Sequence, residues 1–235
     1  MLSVFVVPEI TSDKTLFIEG DEAHHAIKVV RLEVGEEIHI TDGAGNWARA
    51  AVMAIEKKRF LVEILERGHE NELQPELIVI QAMTKSDRVK EALELLVVGG
   101  VDRIIPWHSE RTLAKWQEDS AEKWGNTIVA AAKQCRRFRF PIIGDPMSTS
   151  EIANQFGKEL LVLHEGASAP ISQSLNPGAQ RIIVLVGPEG GISDAELHIL
   201  TESGGRPVRL GNEVLRSAHA GFAALSAIQA LIGRW

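Results

Sequence analysis

The chain has no tyrosine and a single cysteine, Cys135. One cysteine excludes a disulfide framework within the chain and any cysteine-based zinc site. The missing tyrosine leaves stacking on a planar ligand to Phe, Trp or Arg. No apolar run reaches the ~18 residues a membrane span needs. The opening Met1-Leu-Ser-Val-Phe-Val-Val-Pro8 lacks the basic n-region of a secretory signal, so a cytoplasmic location is expected. Neither G-x-x-x-x-G-K-[ST] nor G-x-G-x-x-G after a strand occurs, which argues against a P-loop NTPase and an ordinary dinucleotide site. No internal repeat or low-complexity stretch is visible. The net charge of −7 does not by itself suggest a nucleic-acid partner, although local clusters of cations can still make one.

What is present is enough chain for one large or two small domains: 235 residues, 45% hydrophobic. Residues 1–70 read as mostly β, with short strands at 3–7 and 16–19 and longer ones at 36–41, 47–55 and 60–65. Asp42-Gly-Ala-Gly-Asn46 supplies turn chemistry between the first two long strands. Ala23, Ala26, Ile27 and Val30 share helical spacing over 21–30. Such a set predicts a small closed or half-closed barrel. Residues 68–75, polar and ending in Pro75, form a candidate linker.

From residue 76 strands and helices alternate, which predicts a mainly parallel sheet covered on both faces. Strands are expected at 77–82, 103–107, 141–143, 159–164, 181–186 and 207–210. Helices are expected at 86–98 (capped by Ser86, stopped by Gly99-Gly100), 120–135, 152–156, 193–203 and 215–232. Ser148 with Glu151, and Ser193 with Glu196, have the capping-box pattern. In the last helix Phe222, Leu225, Ile228, Leu231 and Ile232 are expected to face the core.

Three glycine-bearing loops follow strands in this half: 164–167, 187–191 and 211–213. In a parallel sheet all three lie at the carboxyl ends of strands, where ligands bind. Gly187-Pro-Glu-Gly-Gly191 turns a buried strand into a helix N-terminus, exposing backbone N–H groups. The competing reading is a tight turn that holds nothing. Gln134-Cys-Arg-Arg-Phe-Arg-Phe-Pro141 interleaves arginine with phenylalanine, and Lys85, Arg88, Lys90, Arg103, Arg111 and Lys115 come from nearby elements. This pattern suits phosphates and bases, but helix C-terminal charge with the rings in a core accounts for residues 136–140 as well. Lys57-Lys58-Arg59 reads as a solvated hairpin turn, and His24-His25 as a surface pair rather than metal ligands.

Taken in order, Gly187-Pro-Glu-Gly-Gly191 with Ser193 and Glu196, Val208-Arg-Leu-Gly211 and Val214-Leu-Arg-Ser217 resemble the SPOUT-class RNA methyltransferases of the RsmE type. Gly100–Trp107, Ser109-Glu-Arg111, Ala132-Lys-Gln134 with Arg137 and Pro141, His24–Arg31 and Asp42–Gly45 extend the likeness over essentially the whole chain. That family methylates N3 of a uridine in the decoding region of small-subunit ribosomal RNA. The resemblance implies an α/β (α+β overall) protein: a PUA-like RNA-binding β-barrel at 1–70 and a SPOUT domain with a deep trefoil knot at 76–235. It implies a homodimer acting on 16S rRNA of the small ribosomal subunit, with S-adenosyl-L-methionine as cofactor, no metal and no membrane. By the same likeness Leu163, His164, Glu165, Gly166, Val186, Gly187, Pro188, Glu189, Gly190, Gly191, Leu210, Gly211, Val214, Leu215, Arg216 and Ser217 would hold the cofactor.

One departure stands out. The family commonly reads Leu-Arg-Thr-Glu-Thr-Ala where this chain has Leu215-Arg-Ser-Ala-His-Ala220. Ser217 keeps a hydroxyl, Ala218 loses the carboxylate and His219 replaces a threonine. Uracil N3 must lose its proton before it attacks, so donors aimed at O2 and O4 would stabilise the anion. Arg111 and Arg137 are assigned to that task, Gln134 and Arg136 to substrate binding, and Arg216 to cofactor or phosphate. His219 is the candidate base, having a suitable ordinary pKa. Two alternatives remain: another SPOUT methyltransferase acting on ribose 2′-OH or tRNA, and a non-catalytic RNA binder of ribosome assembly.

Overall fold

Hydrophobic alternation in the first part of the chain and continuous apolar strands in the rest build two different sheets. The computed structural model describes residues 2–84, 86–112, 114–176 and 178–235. It divides into two compact units: Met1–Glu72 with Ala132–Phe140, and Leu73–Ala131 with Pro141–Trp235.

The first unit is a curled five-stranded sheet of β1 (Val4–Val6), β2 (Thr15–Glu19), β3 (Glu37–Thr41), β4 (Asn46–Ile55) and β5 (Arg59–His69). The order is β1-β3-β4-β5-β2, with β1 parallel to β3 and the other neighbours antiparallel. Alternate residues point inward, as period-2 patterning requires. Ala48, Ala50 and Val52 of β4 meet Phe60, Val62 and Ile64 of β5 in one core with Phe5, Ile18 and Ile38. The helix expected over 21–30 is α1 (Gly20–His25) followed by a π-helical turn, Ala26–Val30. The wider turn rotates Val30 off the stripe of Ala23 and Ala26, so it is exposed while they are buried. His24 and His25 are exposed.

Strand β5 runs beyond the expected 60–65 and takes in Gly68 and His69, which had been assigned to the linker. Gly68 pairs with Trp47, and a Cβ there would lie 2.3 Å from the indole, so only glycine lets the strand pass beneath the ring. The interleaved arginine–phenylalanine segment belongs to this unit. Thr41 Oγ1 donates to the Phe138 carbonyl (2.9 Å), the Phe140 amide donates to the Gly43 carbonyl (2.8 Å), and the Phe138 ring stacks on Trp47 at 5.5 Å. Arg139 donates to the Glu70 carbonyl (2.9 Å) and lies 3.6 Å from Glu72.

The second unit is an all-parallel sheet ordered β12-β10-β11-β6-β7-β8, with β9 beside β7. The strands are β6 (Glu76–Ala82), β7 (Arg103–His108), β8 (Ile142–Ile143), β9 (Met147–Ser148), β10 (Leu160–Leu163), β11 (Arg181–Val186) and β12 (Arg206–Val208). Strands β6 and β11 are buried at every position after the first, which is why their sequences are apolar without alternation. The helices are α2 (Ser86–Val98), α3 (Ser120–Cys135, its last turn counted with the first unit), α4 (Thr149–Phe156), α5 (Asp194–Glu202) and α6 (Ser217–Ile232). Both expected capping boxes form, Ser148 with Glu151 and Ser193 with Glu196. Lys85 and the side chain of Ser86, the expected cap, lie outside what the structure describes.

Helix α6 begins at Ser217, two residues later than expected, because Arg216 takes the extended N-cap conformation. Leu225 and Ile228 are buried as expected, while Leu231 is exposed, past the point where α6 packs on the core. None of the helices is long and apolar enough to cross a membrane among the described residues.

Candidate functional site

The parallel arrangement of β10, β11 and β12 puts their carboxyl ends side by side. The three loops that leave them enclose a cavity of about 500 Å³ in the second unit. It is lined by residues 163–165, 186–192, 208–211 and 213–217, Ala220, and by Arg88 and Arg111. The volume is within the usual range for a small-molecule site. Of the cofactor positions named from sequence, Gly166 alone does not line it; its amide donates to His164 Nδ1 (3.1 Å) and so shapes the 164–167 turn.

The middle loop is held from three sides. The Gly191 amide donates to the Pro188 carbonyl (2.9 Å), and Gly191 has φ +73°, a conformation that favours glycine. Arg111 Nη1 donates to the Gly190 carbonyl (2.7 Å). Ser217 Oγ donates to the Gly187 carbonyl (2.6 Å) and accepts from Gln81 Nε2 (3.0 Å). Gln81 was missed in the sequence. It is the only polar residue within the apolar stretch 77–82, and a buried amide there signals a specific partner. Its Oε1 has no hydrogen-bond partner among the described residues.

Glu189 pairs with Arg88 (3.0 Å). Four arginines (Arg88, Arg111, Arg209, Arg216) and three glutamates (Glu165, Glu189, Glu213) line the cavity, an excess of positive charge in a chain of net charge −7. Leu163, Val186, Ile192, Leu210 and Val214 add apolar wall. Chemically, such a site can hold a flat apolar group, accept hydroxyl donors on carboxylates and carbonyls, and attract an anion to its mouth.

The remaining positions named from sequence do not line this cavity. Gln134, Arg136 and Arg137 belong to the first unit. Gln134 is exposed, and Arg136 has φ +61° at the end of α3. Burial, then the nearby positive charges of Arg136 and Arg49, hold the His39 pKa below its ordinary value. His219 is half exposed with Nε2 3.0 Å from Glu91 of α2. Residues two apart on a helix are about 200° apart around its axis, so Ser217 and His219 cannot share a face. Among the other cations, Arg103 pairs with Glu76 (2.9 Å), Lys90 lies near Glu94 (3.8 Å), and Arg59 pairs with Glu56 (2.8 Å). No group of three or more His, Cys, Asp or Glu placed to hold a metal occurs among the described residues.

The sequence and the fold match known RNA methyltransferases. Residues 70–229 match the model of an RNA methyltransferase domain, and residues 18–65 that of an RNA methyltransferase PUA domain. The chain is 35% identical over 228 residues to ribosomal RNA small subunit methyltransferase E of Mycobacterium bovis, spanning 93% of this chain and 87% of that protein. It is 28% identical over 235 residues to the Bacillus subtilis protein of the same name, spanning 94% and 91%. The crystal structure of a ribosomal RNA small subunit methyltransferase E from Neisseria gonorrhoeae bound to S-adenosyl methionine superposes with a TM-score of 0.89 at 26% identity, covering 98% of both chains. The chain belongs to the RNA methyltransferases, and among them to the ribosomal RNA small subunit methyltransferase E family.

Proposed function

We propose that this chain transfers a methyl group from S-adenosylmethionine to N3 of a uridine in 16S rRNA of the small ribosomal subunit. The observation that carries the reading is the cavity at the carboxyl edge, where the three glycine-bearing loops meet. Its residues fit the cofactor. The backbone of Glu189, Leu210 and Gly211 offers hydrogen bonds to a nucleoside, and Glu165 and Glu213 offer acceptors for ribose hydroxyls. Leu163, Leu210 and Val214 offer an apolar flank for an adenine. When bound, the cofactor supplies an electrophilic methyl group on a sulfonium.

The chain's own residues do the rest. Arg111 lies at the rim, held against Gly190, where its guanidinium can stabilise negative charge on O2 and O4 of a uracil losing its N3 proton. Arg216 serves the cofactor or a phosphate. Residues 1–70, with Gln134, Arg136 and Arg137, serve RNA binding. His219 is the proposed proton acceptor, a role that requires its ring to leave Glu91; unchanged turnover across pH in His219→Ala removes it from the mechanism. The reading also carries the trefoil knot, a homodimer and a cytoplasmic location.

The test is nucleoside mass spectrometry of 16S rRNA from a strain lacking the gene. Loss of one N3-methyluridine, restored by this chain and not by Arg111→Ala, is the expected result. Unchanged N3-methyluridine, or loss of a ribose 2′-O-methyl group instead, contradicts it.

A further inference from the structure

Glu196 does more than cap α5. It is buried, and its carboxylate meets four donors. Oε2 accepts from the Ser193 amide and hydroxyl, both at 3.3 Å, which is the capping box. Oε1 accepts from the Glu110 amide (2.8 Å) and from Thr149 Oγ1 (2.9 Å). Thr149 Oγ1 in turn accepts from Nε1 of the fully buried Trp107 (3.1 Å).

Neither bond to Oε1 is required by the helix cap, and the one from the Glu110 amide leads to the cavity. Residue 110 precedes Arg111, whose Nη1 reaches the Gly190 carbonyl, and Gly190 lies three residues before Ser193. The connections close a ring: Glu196 to the backbone of 110, Arg111 to Gly190, and the chain from Gly190 through Ser193 back to Glu196. The turn carrying Arg111 is itself tied, since the Thr112 amide donates to the Ser109 carbonyl (3.0 Å) and the two hydroxyls lie 2.8 Å apart. The turn is thus tied to itself as well as to Glu196.

We infer that Glu196 is a positioning residue, which locks the 109–112 turn onto the start of α5 and thereby holds Arg111 over Gly190 at the cofactor cavity. The inference rests on the proposed function only for what Arg111 does, not for where it is held. A control is built into the fold. Glu151 makes the same capping box with Ser148, but its carboxylate is exposed and accepts from the Ser148 amide and hydroxyl, each at 2.7 Å.

The experiment is amide hydrogen exchange of the full chain, compared among wild type, Glu196→Gln, Thr149→Val and Glu151→Gln. Glu196→Gln keeps the volume but turns an acceptor into a donor facing donors. Exchange at 110–112 is expected to rise about tenfold or more, while α5 amides change by less than about twofold. Thr149→Val leaves the capping box intact and is expected to loosen 110–112 by a few-fold; Glu151→Gln leaves that turn unchanged. Unchanged exchange at 110–112 in Glu196→Gln, or an equal rise throughout α5, overturns the inference.

A double-mutant cycle on methyl transfer reads the consequence. Glu196→Gln alone is expected to slow the reaction about tenfold, and to add less than about twofold in an Arg111→Ala background. Full additivity overturns a role through Arg111. If wild type methylates no ribosomal RNA, the proposed function falls, while the exchange experiment still decides whether Glu196 positions the turn.

Discussion

Ser148-Thr-Ser-Glu151 and Ser193-Asp-Ala-Glu196 have the same pattern, form the same capping box and start helices on the same sheet domain. Glu151 is exposed and serves its own helix. Glu196 is buried and joins α5 to the backbone of residue 110 and to Thr149, residues 86 and 47 positions away in the chain. A four-residue pattern specifies a helix start, a local event. What that start is used for depends on which strand end it follows. Helix α5 follows β11, whose loop opens into the cavity, whereas α4 follows the short β9 beside β7.

The difference orders the expected effects of mutation. The largest is at the loop itself. A Cβ on Gly190 would lie 3.3 Å from Arg111 Cβ, so Gly190→Val drives branches into the side chain that spans the loop. Calorimetry should find S-adenosylmethionine binding lost, with the circular dichroism of the wild type retained. Next, Glu196→Ala leaves several buried donors without an acceptor and should lower unfolding free energy by about 3 kcal/mol in urea titration. Glu151→Ala should shift the same curve by clearly less; equal shifts would erase the contrast.

A smaller effect is expected at Gln81→Leu, which removes the donor to Ser217 Oγ and should weaken S-adenosylmethionine binding about fivefold, the worth of roughly 1 kcal/mol. The smallest is a pH effect. Bonds from the Ser148 amide and hydroxyl hold the Glu151 carboxyl below its ordinary value. The unfolded chain therefore takes up that proton first, and the stabilisation is present above the ordinary glutamate range and lost as pH falls through the lowered folded value. Urea titrations from pH 6 to pH 3 should show part of the acid loss of stability removed in Glu151→Gln.

Much of this was legible in the residues. The apolar runs of β6 (Gln81 apart) and β11 announced a parallel sheet, both capping boxes marked helix starts, and the three glycine-bearing loops followed from strands sharing one direction. What escaped was set by distant contacts. Residues 136–140 read more readily as a helix end with its rings in a core than as an RNA patch, but where they dock, on Thr41, Gly43 and Trp47, depends on pairings some 97 residues apart. Gln81 meets Ser217 across 136 residues, and no local pattern announces that. The residue type nominates His219, but only Ser217 and Ala220 of its helical turn line the cavity, while the His219 ring meets Glu91. The π-helical turn at 26–30 kept helical spacing in sequence but shifted Val30 off the buried stripe.

The most direct test is a crystal structure of the full chain grown with S-adenosylmethionine. The cofactor is expected among residues 163–165, 186–191 and 208–217, with Arg111 still on the Gly190 carbonyl. Density instead in the larger cavity at the amino ends of the strands, lined by Glu76, Arg103, Asp145, Phe156 and Arg181, or in neither at saturating cofactor, would contradict it.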